Sequence, residues 1–80
     1  MTNIHVQYFA ILREQRGLAR EPLATAAPTA AALYEELRAR YNFTLPMNRV
    51  RAAINEEFVA WDAPLHEGQT VVFIPPVAGG

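Results

Sequence analysis

The 80-residue sequence contains no cysteine and no lysine, and these absences restrict what the chain can do. Without cysteine there are no disulfides, iron–sulfur clusters, thiolate zinc sites or cysteine nucleophiles. All seven basic residues are arginines, and with eight acidic residues they give a net charge of -1. No basic run is long enough for a nucleic-acid or anionic-membrane footprint. We therefore expect neither nucleic acid nor membrane among the partners.

Long hydrophobic runs are missing as well. The stretch Met1–His5 lacks the basic and apolar regions of a signal peptide. No apolar stretch approaches the roughly 20 residues of a membrane-spanning helix. Because 51% of the residues are hydrophobic, we expect one small globular domain, and the default location is the cytoplasm.

The first part of the sequence predicts two strands joined by a loop. Residues Ile4–Leu12 alternate in polarity and indicate a strand. The polar stretch Arg13–Gly17 ends in glycine, which is typical of a hairpin loop. Residues Arg20–Thr25 form a weaker strand, and Pro22 places it at a sheet edge because proline cannot donate a ladder hydrogen bond.

One main helix of about three turns is predicted next. Thr29 is a suitable N-cap, and we expect the helix to end near Tyr41-Asn42. Glu36 and Arg40 are spaced for an ion pair. The apolar side is formed by residues at helical spacing: Ala30, Leu33, Leu37 and Tyr41.

Three further strands are predicted at Val50–Ile54, Phe58–Ala60 and Thr70–Ile74. The order β-β-α-β-β-β predicts an α+β fold of the β-grasp, or ubiquitin-like, type: a mixed sheet of about five strands covered on one face. A crossover through the helix makes the first and last strands parallel neighbours. A ferredoxin-like fold is the alternative, but it needs a second helix.

After Ile74 the strand pattern gives way to the tail Pro75-Pro76-Val77-Ala78-Gly79-Gly80. Two prolines remove N–H donors and hold the backbone extended, so the sheet is expected to stop there. At roughly 3.1 Å per residue the tail would reach roughly 20 Å. Because Gly79 and Gly80 have no Cβ, this end fits a channel that side chains would block. The sequence thus predicts a β-grasp domain, residues 1–74, with an extended C-terminal tail, residues 75–80, that presents a carboxyl group to partner proteins.

The terminal carboxylate is a poor electrophile by itself, since with a pKa of roughly 3.5 it is an anion at neutral pH. A covalent role requires activation by a nucleotide-dependent partner, for example through an acyl-adenylate. The sequence has no Gly-rich phosphate loop, so we expect the partner, and not this chain, to bind ATP. The absence of lysine reflects either compositional bias or protection of an activated C-terminus from side-chain amines.

Four segments resemble the small, sulfur-carrier subunits of molybdopterin synthase, which are ubiquitin-like proteins. The double-proline tail Phe73–Gly80 is the most specific of them. Tyr8–Glu14 is similar to the family's first strand and the residues after it, Ala53–Val59 to its central hairpin, and Pro64–Val71 to its approach to the last strand. Gln69 stands where the family often has aspartate, a change in a surface turn.

This resemblance implies a sulfur-donating, non-catalytic subunit of a sulfurtransferase complex in molybdenum cofactor biosynthesis. Gly80 would be adenylated by an E1-like adenylyltransferase and converted to a thiocarboxylate with sulfur from a sulfurtransferase donor. The tail would then enter the large subunit and pass sulfur to cyclic pyranopterin monophosphate, within a heterotetramer. The implied partner-binding residues, beside Gly79 at the reacting end, are Phe9, Ile74, Pro75, Pro76, Val77 and Ala78.

Several alternatives remain. Phe9 is either a second-layer core residue or an exposed contact for the large subunit. His5 and His66 have no partners at ligand spacing, so no metal site is expected. Trp61 is expected in the core or covering the end of the sheet. The alternative functions are a sulfur carrier for another pathway, such as thiamin synthesis, a ubiquitin-like protein modifier, and a plain interaction domain.

Overall fold

The computed structural model describes residues 1–76. Within them, four of the five predicted strands lie within one residue of their expected bounds, and one helix is additional. The elements, in chain order, are β1 (Thr2–Tyr8), α1 (Ala10–Arg16), β2 (Arg20–Thr25), α2 (Ala30–Tyr41), a 3₁₀ turn (Met47–Arg49), β3 (Arg51–Ile54), β4 (Glu57–Val59) and β5 (Thr70–Ile74).

The strands form one mixed sheet in the order β2-β1-β5-β3-β4. β1 and β5 run parallel at its centre, and the other neighbouring pairs are antiparallel. The β-grasp prediction is therefore confirmed, as is the parallel pairing of the first and last strands. β2 lies at the edge, with Pro22 opposite His5, which agrees with the missing N–H of proline.

The prediction for residues 9–17 is wrong. β1 ends at Tyr8, and the residues expected to finish the strand and form a hairpin loop are the helix α1. Ala10 adopts φ 51°, which turns the chain out of the sheet directly after Phe9. Leu12 then packs into the core with no exposed surface. Gly17 ends the helix in the left-handed conformation, and its N–H donates to the Arg13 carbonyl at 2.8 Å.

The predicted main helix is confirmed. The Thr29 hydroxyl accepts the Ala32 N–H at 3.2 Å, and Asn42 ends the helix in the left-handed conformation. The predicted pair of Glu36 and Arg40 forms at 3.7 Å. Tyr34 was not among the predicted apolar positions, yet it is fully buried. The apolar face of α2 is therefore wider than the predicted positions indicate.

Helix α2 packs on one face of the sheet, and within residues 1–76 neither helix covers the other, open face. On β1, Ile4, Val6 and Tyr8 belong to the core, whereas His5 is exposed and Gln7 half-buried. The alternation continues through the sheet because side chains of a strand point to opposite faces. Within residues 1–76, neither helix has the length and apolarity needed to cross a bilayer.

Candidate functional site

The parallel pairing of β1 and β5 determines where the tail leaves the domain. Tyr8 is opposite Phe73 in the register. The parallel strands β1 and β5 therefore finish at the same end of the sheet, and the chain leaves both strands there. Phe9 follows β1 there, and Ile74 ends β5. Phe9 is 48% exposed, which makes it a surface residue and excludes the second-layer core reading. The two predicted contact residues, Phe9 and Ile74, thus lie at the same end of the sheet.

A groove of about 420 Å³ lies beside the first residues of the tail. Pro75 is buried, and Pro76 is exposed. The residues that line the groove are Asn48, Arg49, Val50, Arg51, Phe58, Ile74, Pro75 and Pro76. The described residues of this lining are mostly apolar, with two arginines and one amide, a composition suited to packing against a protein.

Phe58 is the feature of this site that the sequence reasoning missed. Its side chain is 59% exposed at the middle of β4, and the Arg51 guanidinium carbon lies 4.2 Å from the ring centroid. A large exposed aromatic residue next to a groove is typical of an interaction surface. In the structure Val59 packs against the core, so its strand neighbour Phe58 faces outward, but the sequence of this short strand does not show which of the two is covered.

Beneath the tail exit, an aromatic cluster holds the end of β5. Phe73 is fully buried, with its ring centroid 5.2 Å from that of Tyr34 and 6.0 Å from that of Trp61. The prediction for Trp61 is confirmed, since it is half-buried against the core. The Tyr34 hydroxyl donates to the Leu45 carbonyl at 2.6 Å. The base of the tail is therefore fixed by packing on the helix side of the sheet.

An ion-pair network anchors α1, the helix that follows Phe9. The Arg16 guanidinium donates two 2.7 Å hydrogen bonds to the Glu21 carboxylate, which also accepts the Tyr8 hydroxyl at 2.7 Å. Arg16 also lies 4.1 Å above the Tyr41 ring. The hydrogen bond from Arg16 lowers the pKa of Glu21, and burial together with the anionic neighbour raises the pKa of Tyr8. At neutral pH the Arg16–Glu21 pair is therefore ionised, and the Tyr8 hydroxyl stays protonated and donates to Glu21.

The other residues considered from sequence lie away from this edge or beyond the described residues. His5 is on the open face of β1, and His66 is in the loop before β5. The predictions for Val77, Ala78, Gly79 and Gly80 lie outside the described residues.

The sequence of this chain is similar to that of known proteins. Residues 6–80 match the model of the ThiS family. The molybdopterin synthase sulfur carrier subunit of Escherichia coli is 38% identical over 80 residues, which cover 96% of this chain and 99% of that protein.

Two solved structures are also similar. Subunit 1 of a molybdopterin converting factor from Pyrococcus furiosus has a TM-score of 0.79 and 28% identity, covering 96% of this chain and 100% of that one. The complex of subunits 1 and 2 of the molybdopterin-converting factor from Helicobacter pylori contains a chain with a TM-score of 0.69 and 19% identity, covering 99% of this chain and 100% of that one. Because the second structure is only 19% identical in sequence, its similarity supports the fold alone. The chain therefore belongs to the ThiS family and has the ubiquitin-like β-grasp fold of its relatives.

Proposed function

We propose that this chain is the sulfur-carrier small subunit of a molybdopterin synthase. The observation that carries the proposal is the 38% identity to the Escherichia coli sulfur carrier subunit, which extends over 99% of that protein. The tail exit supports it, because a buried Pro75 follows the central strand β5 and the sequence continues through Pro76 to Gly79-Gly80.

The reacting group in this proposal is the carboxylate of Gly80. An E1-like adenylyltransferase supplies ATP, and the carboxylate oxygen attacks the α-phosphate and releases pyrophosphate. A sulfurtransferase donor then supplies sulfur at the sulfide level, which attacks the acyl carbon, displaces AMP and leaves a thiocarboxylate. The terminal sulfur is a good nucleophile with no side chain crowding it, since glycine has no Cβ. This sulfur bonds to cyclic pyranopterin monophosphate in the large subunit, and water then cleaves the acyl–sulfur bond, so the sulfur stays on the pterin and the carrier ends as a carboxylate again.

In this scheme the described residues bind the large subunit and position the tail. Phe9, Ile74, Pro75 and Pro76 would contact the large subunit, with Phe58 added from the structure, and Val77 and Ala78 would enter it. The complex would be a heterotetramer, with two small subunits at opposite ends of a large-subunit dimer. Because activation consumes ATP, the proposal places the chain in the cytoplasm.

Removal of Gly80 tests the proposal. In a reconstituted reaction with activating enzyme, sulfur donor, ATP and large subunit, the truncated chain should give no thiolated pterin. Its thermal unfolding should match that of the full chain, because the domain ends before the tail. A matched control is Ala24→Gly, an exposed position on the edge strand β2, which should retain activity. Thiolated pterin at the normal yield from the truncated chain would refute the proposed role of Gly80.

A sulfur carrier for another pathway, such as thiamin synthesis, is the second candidate, and the match to the ThiS family favours it. The Pro75-Pro76-Val77 run favours the molybdopterin pathway, because the thiamin carriers that this chain resembles in fold usually lack it. Co-purification with a molybdopterin synthase large subunit distinguishes the two. A chain that copurifies instead with a thiazole-forming enzyme would belong to the second pathway.

A further inference from the structure

The sequence lacks three kinds of side chain that readily attack an activated acyl group. It contains no lysine, no cysteine and no serine. Lysine amines, cysteine thiols and serine hydroxyls act as nucleophiles toward carbonyl and acyl carbons. Threonine, tyrosine and histidine remain, and their positions in the fold determine whether they can reach a reactive group on the tail.

The weaker nucleophiles of the two central strands lie away from the tail exit. Because β1 and β5 run parallel, their first residues are at the opposite end of the sheet from their last. Thr2 and Thr70 begin these strands, His5 is opposite Thr70, and His66 precedes β5. Five residues of β5 separate the two ends by about 13 Å. An α-amino group that precedes β1 lies at the same distant end.

Two tyrosine hydroxyls nearer the exit are engaged inside the domain. The Tyr8 hydroxyl donates to Glu21 at 2.7 Å, and the Tyr34 hydroxyl donates to the Leu45 carbonyl at 2.6 Å. Both side chains are almost completely buried. A buried hydroxyl that gives up its hydrogen bond loses a stabilising contact, so neither group is available to attack the tail.

The groove at the tail exit carries its positive charge on guanidinium groups. Arg51 pairs with Ile74 across the sheet, about 5 Å from β5. Arg49 lines the same groove as Pro75 and Pro76. A guanidinium is a poor nucleophile, because it stays protonated in proteins and its nitrogen lone pairs are delocalised. The tail therefore leaves the domain beside two cations that do not attack an acyl carbon.

Both arginines lie within the reach of the Gly80 carboxyl. Four residues after Pro76 bring the sequence to Gly80, and four residues span at most about 14 Å. A group carried on so short a linker meets its surroundings at an effective concentration of order millimolar. A lysine in place of either arginine would put an amine with an ordinary pKa of about 10.4 in this range, and its neutral form is nucleophilic.

Resting on the proposed function, we propose that Arg49 and Arg51 keep the tail exit positively charged without an amine, so that activated Gly80 reacts with sulfur and not with its own chain. In the step they prevent, an amine nitrogen bonds to the acyl carbon of Gly80. The bond from that carbon to AMP breaks, and the amine loses a proton to water. The product is a lactam, lighter than the carboxylic acid form of the chain by one water, which cannot be loaded with sulfur.

A thioester at Gly80 of the full chain tests this role without a partner protein. It is prepared with mercaptoethanesulfonate in the unaltered chain and in Arg49→Lys, Arg51→Lys and Ala24→Lys, and its decay is followed by intact-mass analysis. Both arginines are exposed, so lysine should leave the fold unchanged. Ala24 is the matched control, since it is exposed and pairs with Asn3, about 17 Å along β1 from the tail end of the sheet.

We expect Arg49→Lys and Arg51→Lys to form the lactam at least about tenfold faster than Ala24→Lys, whose amine the tail cannot reach. The rate should rise about tenfold per pH unit from pH 7 to 9, because the neutral amine attacks. Fragmentation should locate the new bond between Gly80 and the introduced lysine. Arg51→Gln removes the charge without adding an amine, so it should lose its thioester by hydrolysis alone, as the unaltered chain does.

A lack of lactam in both arginine-to-lysine variants, or an equal rate in Ala24→Lys, would overturn the proposal. An unaltered chain whose thioester acylates one of its own side chains would overturn it also. The test is separate from that of the proposed function, because it needs no E1-like enzyme. An unaltered chain that never gains sulfur from the activating system would refute the sulfur-carrier role and leave the thioester result unaffected.

Discussion

Replacing Glu21 with glutamine is expected to destabilise the domain by about 1–3 kcal/mol at neutral pH, the usual range for hydrogen bonds to a charged group. Three contacts change together, namely two hydrogen bonds from Arg16 and one from Tyr8, each 2.7 Å long. The side chains of Arg16 and Glu21 are only 20% and 12% exposed, so water screens the pair weakly. The melting temperature should fall by about 4–8 °C for each kcal/mol lost.

The effect should depend on pH in a defined direction. Because the pKa of Glu21 is lower in the folded chain than the ordinary 4.5, ionisation favours the folded state. This contribution is complete above the ordinary value and is lost as the pH falls toward the folded pKa. The free-energy difference between the native chain and Glu21→Gln should therefore be constant from about pH 6 to 8 and shrink below about pH 4.5.

Urea unfolding at pH 7 and at a series of acidic pH values measures both quantities. Glu35→Gln is the matched control, because its pair with Arg38 is 3.6 Å long with side chains 50% and 40% exposed, and it should cost less than about 0.5 kcal/mol. Equal unfolding free energies for Glu21→Gln and the native chain at every pH would refute the anchoring role of the network.

Three further predictions concern other parts of the structure. Tyr34→Phe should lower the free energy of unfolding by about 1–2 kcal/mol in urea titration, because the Leu45 carbonyl loses its 2.6 Å donor; no change would contradict that bond. Glu56→Gly should raise it by about 0.5–1 kcal/mol, since glycine relieves φ 73° in the turn, whereas Glu57→Gly in the neighbouring strand should lower it. Phe58→Ser should change stability by less than about 0.5 kcal/mol because the ring is 59% exposed, yet weaken large-subunit binding about tenfold or more in calorimetry; undiminished affinity would contradict the docking role.

The sequence was informative wherever one strong local signal agreed with the fold. Thr70–Ile74 is β-branched and apolar, as a central strand requires, and Thr29 followed by a periodic helix located α2 within its observed bounds. The crossover between them then determined the parallel pairing of β1 and β5. The tail was evident for the same reason, since two prolines end a strand in any context.

The residues that the sequence misplaced depend on three-dimensional context. Residues 10–12 continue the hydrophobic character of β1, so the turn at Ala10 with φ 51° leaves no clear mark in the pattern. The polar residues Arg13–Arg16 suggested a loop, although they are good helix formers. The ion pair between Arg16 and Glu21 on strand β2 becomes evident only in the structure. Phe58 was missed because a single aromatic residue in a short strand does not reveal which face is covered.

Intact-mass analysis shows whether Gly80 is the site where sulfur is loaded. The full chain is incubated with ATP, a sulfur donor and the E1-like activating enzyme, with the reaction lacking ATP as the control. We expect the mass change of one sulfur replacing one oxygen, located by fragmentation on the C-terminal peptide at Gly80. An unchanged mass, or sulfur carried anywhere other than Gly80, would contradict it.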